Sequence, residues 1–108
     1  MVESLQIQLK KGVLEMCVLA LLSRGDNYAY DIASRMAEAV GMGEGTIYPL
    51  MRRMQADGLV STYLMESASG PPRKYYRLTA EGKRTFIAQR VEWEAFEIAV
   101  RKILGARP

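Results

Sequence analysis

The sequence contains no histidine and only one cysteine among its 108 residues. Zinc sites, Cys–His nucleophile pairs and Ser-His-Asp triads depend on these two residue types, so enzymes and metal proteins of those classes are excluded. The lone thiol, Cys17, forms no disulfide within the chain, which is typical of a reducing compartment. We therefore expect no metal, no cofactor and no catalytic residues.

Long hydrophobic runs are also absent. The most apolar stretch, residues 13–22, contains Glu15 and has about half of the roughly 20 residues that a membrane-spanning helix needs. The start of the chain is charged, with Glu3, Lys10 and Lys11, and nothing there resembles a signal peptide. We expect a cytoplasmic protein that does not enter a membrane.

The residues that are present have the balance of one globular domain, with 49% hydrophobic and 25% charged residues. The formal net charge is +3, and the excess lies in the middle of the chain, where residues 43–84 hold seven basic and four acidic side chains. A chain of this length buries only about two thirds of its unfolded surface. Association with a second copy would therefore add substantially to a modest core.

The spacing of apolar residues predicts three helices in the first half of the chain. Steps of three and four residues predict helices over 4–23 and 28–40, and turn residues separate them. In the second helix the spacing turns Tyr28, Ile32, Met36 and Ala39 inward. A third helix is predicted over 44–57, because four apolar residues follow the i, i+3, i+4, i+7 pattern of one buried stripe. These residues are Ile47, Leu50, Met51 and Met54.

A β-hairpin and a long helix are predicted in the second half. Residues 59–66 and 73–78 have the composition of strands, and Ser67–Pro72 between them is predicted to form a long tip that continues neither strand. Thr79 has the position of an N-cap for a closing helix over 80–104. The expected fold is mainly α with a small β-hairpin.

Two short helices joined by a tight turn and followed by a basic hairpin form a winged helix-turn-helix, which presents its second helix to the major groove of DNA. Arg and Lys neutralise phosphates, and bidentate side chains read base edges. The outward side of the third helix carries donors and cations with no acid before Asp57, and two cations lie at the predicted hairpin tip. The predicted DNA contacts are Thr46, Tyr48, Pro49, Arg52, Arg53, Arg73 and Lys74.

Each of these contacts also has a plainer interpretation. The arginines of the third helix could be solvated surface, and the ring of Tyr48 could pack against the wing. Arg73 and Lys74 could be edge-strand charges that prevent aggregation. Tyr75 and Tyr76 should point to opposite faces of their strand, so one should enter the core and the other should lie near the surface.

The closing helix carries two apolar stripes and therefore needs two partners. One stripe repeats every seven residues through Phe86, Trp93 and Val100, as in a helix-to-helix seam, and Ile87, Val91 and Ile98 form the other. We predict a DNA-binding domain over 1–79, with its wing at 59–78, and a C-terminal dimerisation helix over 80–108. The predicted dimerisation residues are Leu5, Leu9, Phe86, Trp93, Phe96, Val100 and Ile103.

A family resemblance lies in Gly82 and in four segments of the chain, which are 25–28, 45–54, 57–60 and 73–79. These parts of the sequence resemble the PadR-like family of winged-helix transcriptional regulators. The resemblance extends from about residue 9 to residue 104, and it is to the multidrug-responsive subgroup with a single C-terminal helix. It implies a C2 homodimer on a pseudo-palindromic operator in double-stranded DNA. It also implies repression that is relieved by a small molecule, often an aromatic one.

The resemblance also singles out Trp93, because a tryptophan at the matching place in multidrug-responsive members lines a pore at the dimer centre and stacks on flat ligands. The alternative is a large anchor that only fills the dimer interface. Glu97, one turn further on, could attract a cationic ligand or could lie on a solvated helix face.

We therefore expect a dimeric, sequence-specific DNA-binding transcriptional regulator, a repressor relieved by a small aromatic ligand. The alternatives are a winged-helix module that binds protein and a ligand sensor that does not bind DNA, since fold alone does not choose between them. An enzyme is not expected, because the carboxylates have no reason to converge on one site.

Overall fold

The structure, a computed structural model, describes residues 4–107 and all of their side chains except those of residues 6, 7 and 11. Residues 1–3 and 108, which belong to the two predicted domains, lie outside the described residues. The elements in chain order are α1 (Leu5–Ser23), β1 (Asn27–Tyr28), α2 (Ala29–Val40), α3 (Glu44–Ala56), β2 (Val60–Ser67), β3 (Gly70–Leu78) and α4 (Ala80–Leu104).

The predicted fold class is confirmed. All four helices lie within one residue of their predicted ends, and the hairpin belongs to an antiparallel three-stranded sheet with the order β1-β3-β2. The N-cap of α4 is also confirmed, because the Thr79 hydroxyl accepts a hydrogen bond from the backbone N–H of Gly82 at 3.0 Å. Helix boundaries were predictable because they follow from local spacing and capping.

Strand β1, which joins the sheet in addition to the two strands of the hairpin, was not predicted. Asn27 pairs with Tyr76 and Tyr28 pairs with Tyr75, directly before α2 begins. The sequence suggested only turn chemistry here. A strand of two residues has no periodicity of its own, so its pairing depends on β3 being present beside it.

The long tip predicted for the hairpin is wrong. Both strands extend into it, and the turn consists only of Ala68 and Ser69. Pro71 and Pro72 lie inside β3, in the stretch beyond its pairing with β1 and next to an irregularity in β2. Proline is tolerated there because an edge position does not require its missing N–H.

The core lies between α1, α2, α3 and the sheet. The predicted stripe of α3 is confirmed, and its members are all buried. In α2 the prediction is wrong for Ala39, which is exposed with the rest of 37–39, whereas Ala33 is buried beside Ile32. Val40, the last residue of α2, nevertheless packs against the core. The buried apolar residues are Leu14, Val18, Leu19, Leu22, Ile32, Ala33, Met36, Ile47, Leu50, Met51, Met54, Leu59, Val60, Tyr76 and Leu78.

The start of α4 is fastened to the segment between α3 and β2. The Thr79 hydroxyl donates a hydrogen bond to the carbonyl of Gly58 at 2.6 Å, and the Thr79 backbone N–H donates to the carbonyl of Leu59 at 3.1 Å. A Cβ atom on Gly82 would lie only 2.0 Å from the Leu59 carbonyl oxygen. Only glycine allows this close approach of α4.

Within residues 4–107, no helix is long and apolar enough to cross a membrane. Nor do the described side chains include a group of three or more His, Cys, Asp or Glu that could hold a metal ion. Cys17 is a free, half-buried thiol whose burial raises its pKa. A raised pKa keeps the thiol protonated and chemically inert at neutral pH.

Candidate nucleic-acid interface

Helix α3 buries one side and leaves the other side open to solvent. Ile47 and Met54 are completely buried, whereas Thr46, Arg52 and Arg53 are exposed. Neither arginine takes part in any ion pair found among the described residues. Their charge is therefore available to an outside partner.

Pro49 is also exposed on α3. It is the sixth residue of the helix, so its missing N–H leaves the carbonyl of Gly45 without the usual helical partner. The first turn is nevertheless formed, since the backbone N–H groups of Thr46 and Ile47 both donate to the carbonyl of Gly43. The helix therefore accommodates Pro49, and its exposed ring is open to an outside partner.

Tyr48 is half-buried and packs against the core. Burial raises the pKa of Tyr48, and the nearby Glu44 carboxylate raises it further. The hydroxyl is therefore a neutral hydrogen-bond donor at neutral pH. Tyr48 therefore packs against the core and still leaves part of its side chain open to a partner.

Helix α3 also carries one acid, Glu44, on the side where only donors and cations were expected. Glu44 is exposed in the first turn of the helix. A carboxylate at this end interacts favourably with the helix dipole, which accounts for its position. The acid-free side of α3 therefore begins only after Glu44.

The two cations of the wing lie away from the hairpin tip, which corrects their predicted place. Arg73 is paired with Met65 and Lys74 with Leu64, several residues from the turn at Ala68 and Ser69. Both cations are exposed.

Arg73 and Lys74 also point to opposite faces of the sheet, because side chains alternate along a strand. Tyr76 is 4% exposed and marks the core face, as predicted for one of the two adjacent tyrosines, and Tyr75 is half-buried on the other face. The Lys74 ammonium lies 5.5 Å from the centre of the Tyr76 ring, whereas the Arg73 guanidinium lies 4.5 Å from the centre of the Tyr28 ring. We call the face that bears Arg73 and Tyr75 the outer face.

Lys74 is the wing cation on the same side as α3. Gln55, near the end of α3, donates a hydrogen bond to the hydroxyl of Thr62 at 3.3 Å. Thr62 is paired with Tyr76 and therefore belongs to the core face, as Lys74 does. The sequence could not distinguish the two cations, because their faces depend on the register of the hairpin.

Trp93 lies in a groove of about 420 Å³ between α1 and α4, with 37% of its surface exposed. Met16 and Phe96 are among its apolar neighbours in the groove, and Glu92 supplies a carboxylate. Glu97 is outside this groove and forms an ion pair with Arg101. The structure therefore does not bring Trp93 and Glu97 to the same groove.

The predicted dimerisation residues are mostly exposed. Phe86 differs, because it is half-buried and packs against the core of its own chain. The exposed members of the set are Leu5, Leu9, Trp93, Phe96, Val100 and Ile103.

The model of the transcriptional regulator PadR-like family matches residues 18–88, about two thirds of the chain. The chain belongs to this family. The resemblance inferred from the sequence is thereby confirmed. Because the PadR-like family consists of transcriptional regulators, this chain is a transcriptional regulator, and the expectation that it is not an enzyme is confirmed as well.

Solved structures of PadR-like proteins agree with this fold. The chain is 33% identical to a PadR-like transcriptional regulator from Bacillus cereus, with a TM-score of 0.84 over 93% of this chain and 99% of that one. It is 38% identical to a PadR-like transcription factor from Bacteroides fragilis, with a TM-score of 0.74 over 94% of this chain and 99% of that one.

A third similar structure is that of Bacillus subtilis PadR in complex with operator DNA. The identity is 26% and the TM-score 0.64, over 73% of this chain and 46% of that one. The likeness to this DNA-bound protein thus covers less of both chains than the other two.

Proposed function

We propose that this PadR-like regulator is a homodimeric, sequence-specific DNA-binding repressor. The observation that carries the proposal is that α3 exposes Arg52 and Arg53 without ion-pair partners among the described residues, directly beside the wing. An exposed helix of this kind after a tight turn suits the major groove. The operator complex of the similar Bacillus subtilis PadR supports the same use of the fold.

Within this proposal, each polar group of α3 has a role. Adjacent helical residues point about 100° apart, so one of Arg52 and Arg53 reads base edges and the other contacts the backbone. Thr46 and the hydroxyl of Tyr48 donate to phosphates, and Pro49 shapes the surface that enters the groove.

The wing adds further phosphate contacts through Lys74 and Arg73. Of these two cations, Lys74 points to the side of the sheet on which α3 lies, since Lys74 and the α3 contact Thr62 are both on the core face. Residues 1–79 would thus form the DNA-binding domain, and residues 80–108 the dimerisation helix.

Helix α4 supports the proposed homodimer. Gly82 is its one buried residue, and large apolar side chains such as Phe96, Ile98 and Ile103 are more than half exposed. Apolar surface on this scale marks an interface. A C2 dimer would cover it and would present two copies of α3 to a pseudo-palindromic operator.

We further propose that a small, flat aromatic ligand stacks on Trp93 and relieves repression. The groove between α1 and α4 offers an exposed indole and the Glu92 carboxylate, which would favour a cationic or hydrogen-bonding aromatic. Glu97 would act only if its ion pair with Arg101 opened. Trp93→Phe, which keeps an aromatic ring in the predicted dimer interface, should weaken ligand binding several-fold in calorimetry and leave operator binding within about threefold.

The DNA-binding proposal is tested by selecting bound fragments from random duplex DNA and then measuring affinity for the selected operator. Arg52→Ala with Arg53→Ala should weaken binding by at least about tenfold, because charge-assisted contacts are lost. Arg84→Ala with Arg90→Ala removes the same charge from exposed sites on α4 and should change affinity by less than about threefold. Equal losses in both variants would remove α3 from the interface.

A winged-helix module that binds protein is the alternative. It would show exposed apolar residues on α3, whereas the exposed side chains there are mainly polar or charged. The DNA-binding proposal would fail if no DNA fragment were selected. It would also fail if the affinity for a selected fragment did not fall with rising salt concentration. A DNA partner would also place the protein in the cytoplasm.

A further inference from the structure

Three tyrosines lie in a row across all three strands on the outer face of the sheet. Tyr28 of β1 is paired with Tyr75 of β3, and Tyr75 is paired with Tyr63 of β2. The ring centres are 5.6 Å apart for Tyr28 and Tyr75, and 5.7 Å apart for Tyr63 and Tyr75. These are the separations at which aromatic rings attract each other. We call these three residues the tyrosine row.

Both ends of the tyrosine row are held by further contacts. The guanidinium of Arg73 lies over the Tyr28 ring at 4.5 Å, and that of Arg77 lies over the Tyr63 ring at 5.2 Å. The Tyr63 hydroxyl donates a hydrogen bond to the Asp26 carboxylate at 2.7 Å. Asp26 directly precedes β1, so the wing is joined to the segment before α2 at two points.

The tyrosine row therefore connects the wing to the helix-turn-helix. β1 ends at Tyr28, which is also the N-cap position of α2. Residues 41–43 then connect α2 to α3. A two-residue strand contributes little pairing by itself, so the rings supply much of the attachment.

We propose that the tyrosine row is a positioning device that fixes the direction of the wing relative to α3, so that wing and helix contact one duplex together. The proposal rests on the proposed DNA-binding function. Tyr75 is the central positioning residue, because its ring touches both of the others. It acts on DNA only through the wing cations, since the row lies on the face of the sheet that is turned away from α3.

The first test needs no DNA. In Tyr75→Ala, backbone amides of β1 and of β3 residues 75 and 76 should exchange with deuterium at least about tenfold faster, because two ring contacts are lost. Amides of α3 should keep their protection. Tyr75→Phe keeps the ring and should restore the slow exchange. If Tyr75→Ala left the exchange of β1 unchanged, the proposal would be overturned whether or not the protein binds DNA.

The second test is a pair of double-mutant cycles on the selected operator. Tyr75→Ala should weaken binding about tenfold in the wild-type background and only about threefold in the Lys74→Ala background, where Arg73 is the remaining proposed wing contact, since residues that act as one unit are not additive. In the Arg52→Ala background it should again cost about tenfold, because α3 contacts are independent of the wing.

Equal losses in the Lys74→Ala and Arg52→Ala backgrounds would mean a general loss of structure and would overturn the proposal. Failure of the wild type to bind DNA would instead overturn the proposed function, and the exchange result would still decide whether the row fixes the wing.

Discussion

The body of the molecule, α1 to β3, and the closing helix α4 bury their apolar residues very differently. Every buried apolar residue among those described lies between Leu14 and Leu78, whereas in α4 only Gly82 is buried. The body therefore has a core of its own, built from contacts between elements distant in sequence. Helix α4 has apolar stripes that its own chain does not cover.

Helix α4 is instead stabilised by local interactions. It begins with the Thr79 N-cap and contains three i,i+3 or i,i+4 ion pairs among the described residues, Arg84–Glu81, Arg90–Glu94 and Arg101–Glu97. Such pairs stabilise a helix by only about 0.2–0.5 kcal/mol each. The comparison teaches that local interactions favour the helical conformation of α4, whereas its exposed apolar stripes need a second surface to cover them.

The largest expected effect concerns the body. Leu19 is completely buried, so Leu19→Ala should lower the free energy of unfolding by about 2–5 kcal/mol, through lost burial and the cavity left behind. Urea unfolding at fixed protein concentration measures this. Leu64→Ala is the control, because Leu64 is 72% exposed and its truncation should cost less than about 0.5 kcal/mol. Similar costs for both leucines would contradict the described core.

The second prediction concerns the stripe of α4. Phe96 is 60% exposed, and Phe96→Glu should raise the dimer dissociation constant at least about a hundredfold, because a carboxylate would be buried without a partner. Sedimentation velocity over a range of concentrations measures the change. Ala88→Glu adds the same charge at an exposed position between the two apolar stripes and should leave the dimer intact. If the wild-type chain stayed monomeric at micromolar concentration, the proposal that a second copy covers the apolar stripe of α4 would be wrong.

The third prediction tests the joint between the two regions. Gly82→Ala should destabilise the protein by about 1–3 kcal/mol, because the new Cβ would collide with the Leu59 carbonyl. Gly12 lies inside α1 with nothing within 4 Å of an added Cβ, so Gly12→Ala should stabilise by about 0.5–1 kcal/mol through helix propensity. Thermal unfolding of both variants provides the test. A neutral Gly82→Ala would mean that α4 is not fastened closely to the body.

The smallest effect concerns a surface ion pair of the body. The side-chain hydrogen bond from Arg35, followed by that from Asn27, lowers the pKa of Asp31. Because the folded pKa lies below the unfolded one, this stabilisation is present at neutral pH and is lost as the pH falls through the folded pKa.

Asp31→Asn should therefore cost only a few tenths of a kcal/mol at neutral pH, as expected for an exposed pair, and nothing in acid. Urea midpoints measured at the two pH values, with Arg35→Gln as the matched variant, check this. A difference that persisted in acid would assign the cost to packing instead of charge.

Most of the fold could be predicted from the sequence, and the reason is visible in α3 and α4. The buried stripe that begins at Ile47 and the N-cap at Thr79 both depend on interactions between residues a few positions apart in sequence. The errors occur where the partner is distant in sequence. β1 depends on β3, and the hairpin tip depends on which residues of β2 and β3 face each other.

The candidate site was predictable in composition and only partly in geometry. The sequence identified Arg52, Arg53, Arg73 and Lys74 as a basic set, because residue types can be read directly. It could not tell which of Arg73 and Lys74 lies on the side of α3, since a change of one residue in strand register reverses every side chain. It also missed the contact of Asp26 with Tyr63, which joins residues 37 positions apart.

By itself, the sequence determined that this chain forms helices with one buried side, a basic middle segment and a final helix with more apolar surface than one face can hold. Only the tertiary structure decided that a two-residue strand ties the wing to α2, that three tyrosine rings form a row across the sheet, and that glycine at position 82 lets α4 touch the body. The physical reason is the distance along the sequence over which each kind of interaction acts. Helical periodicity and capping act between neighbours along the chain, whereas strand register and close backbone approach exist only after distant segments have met.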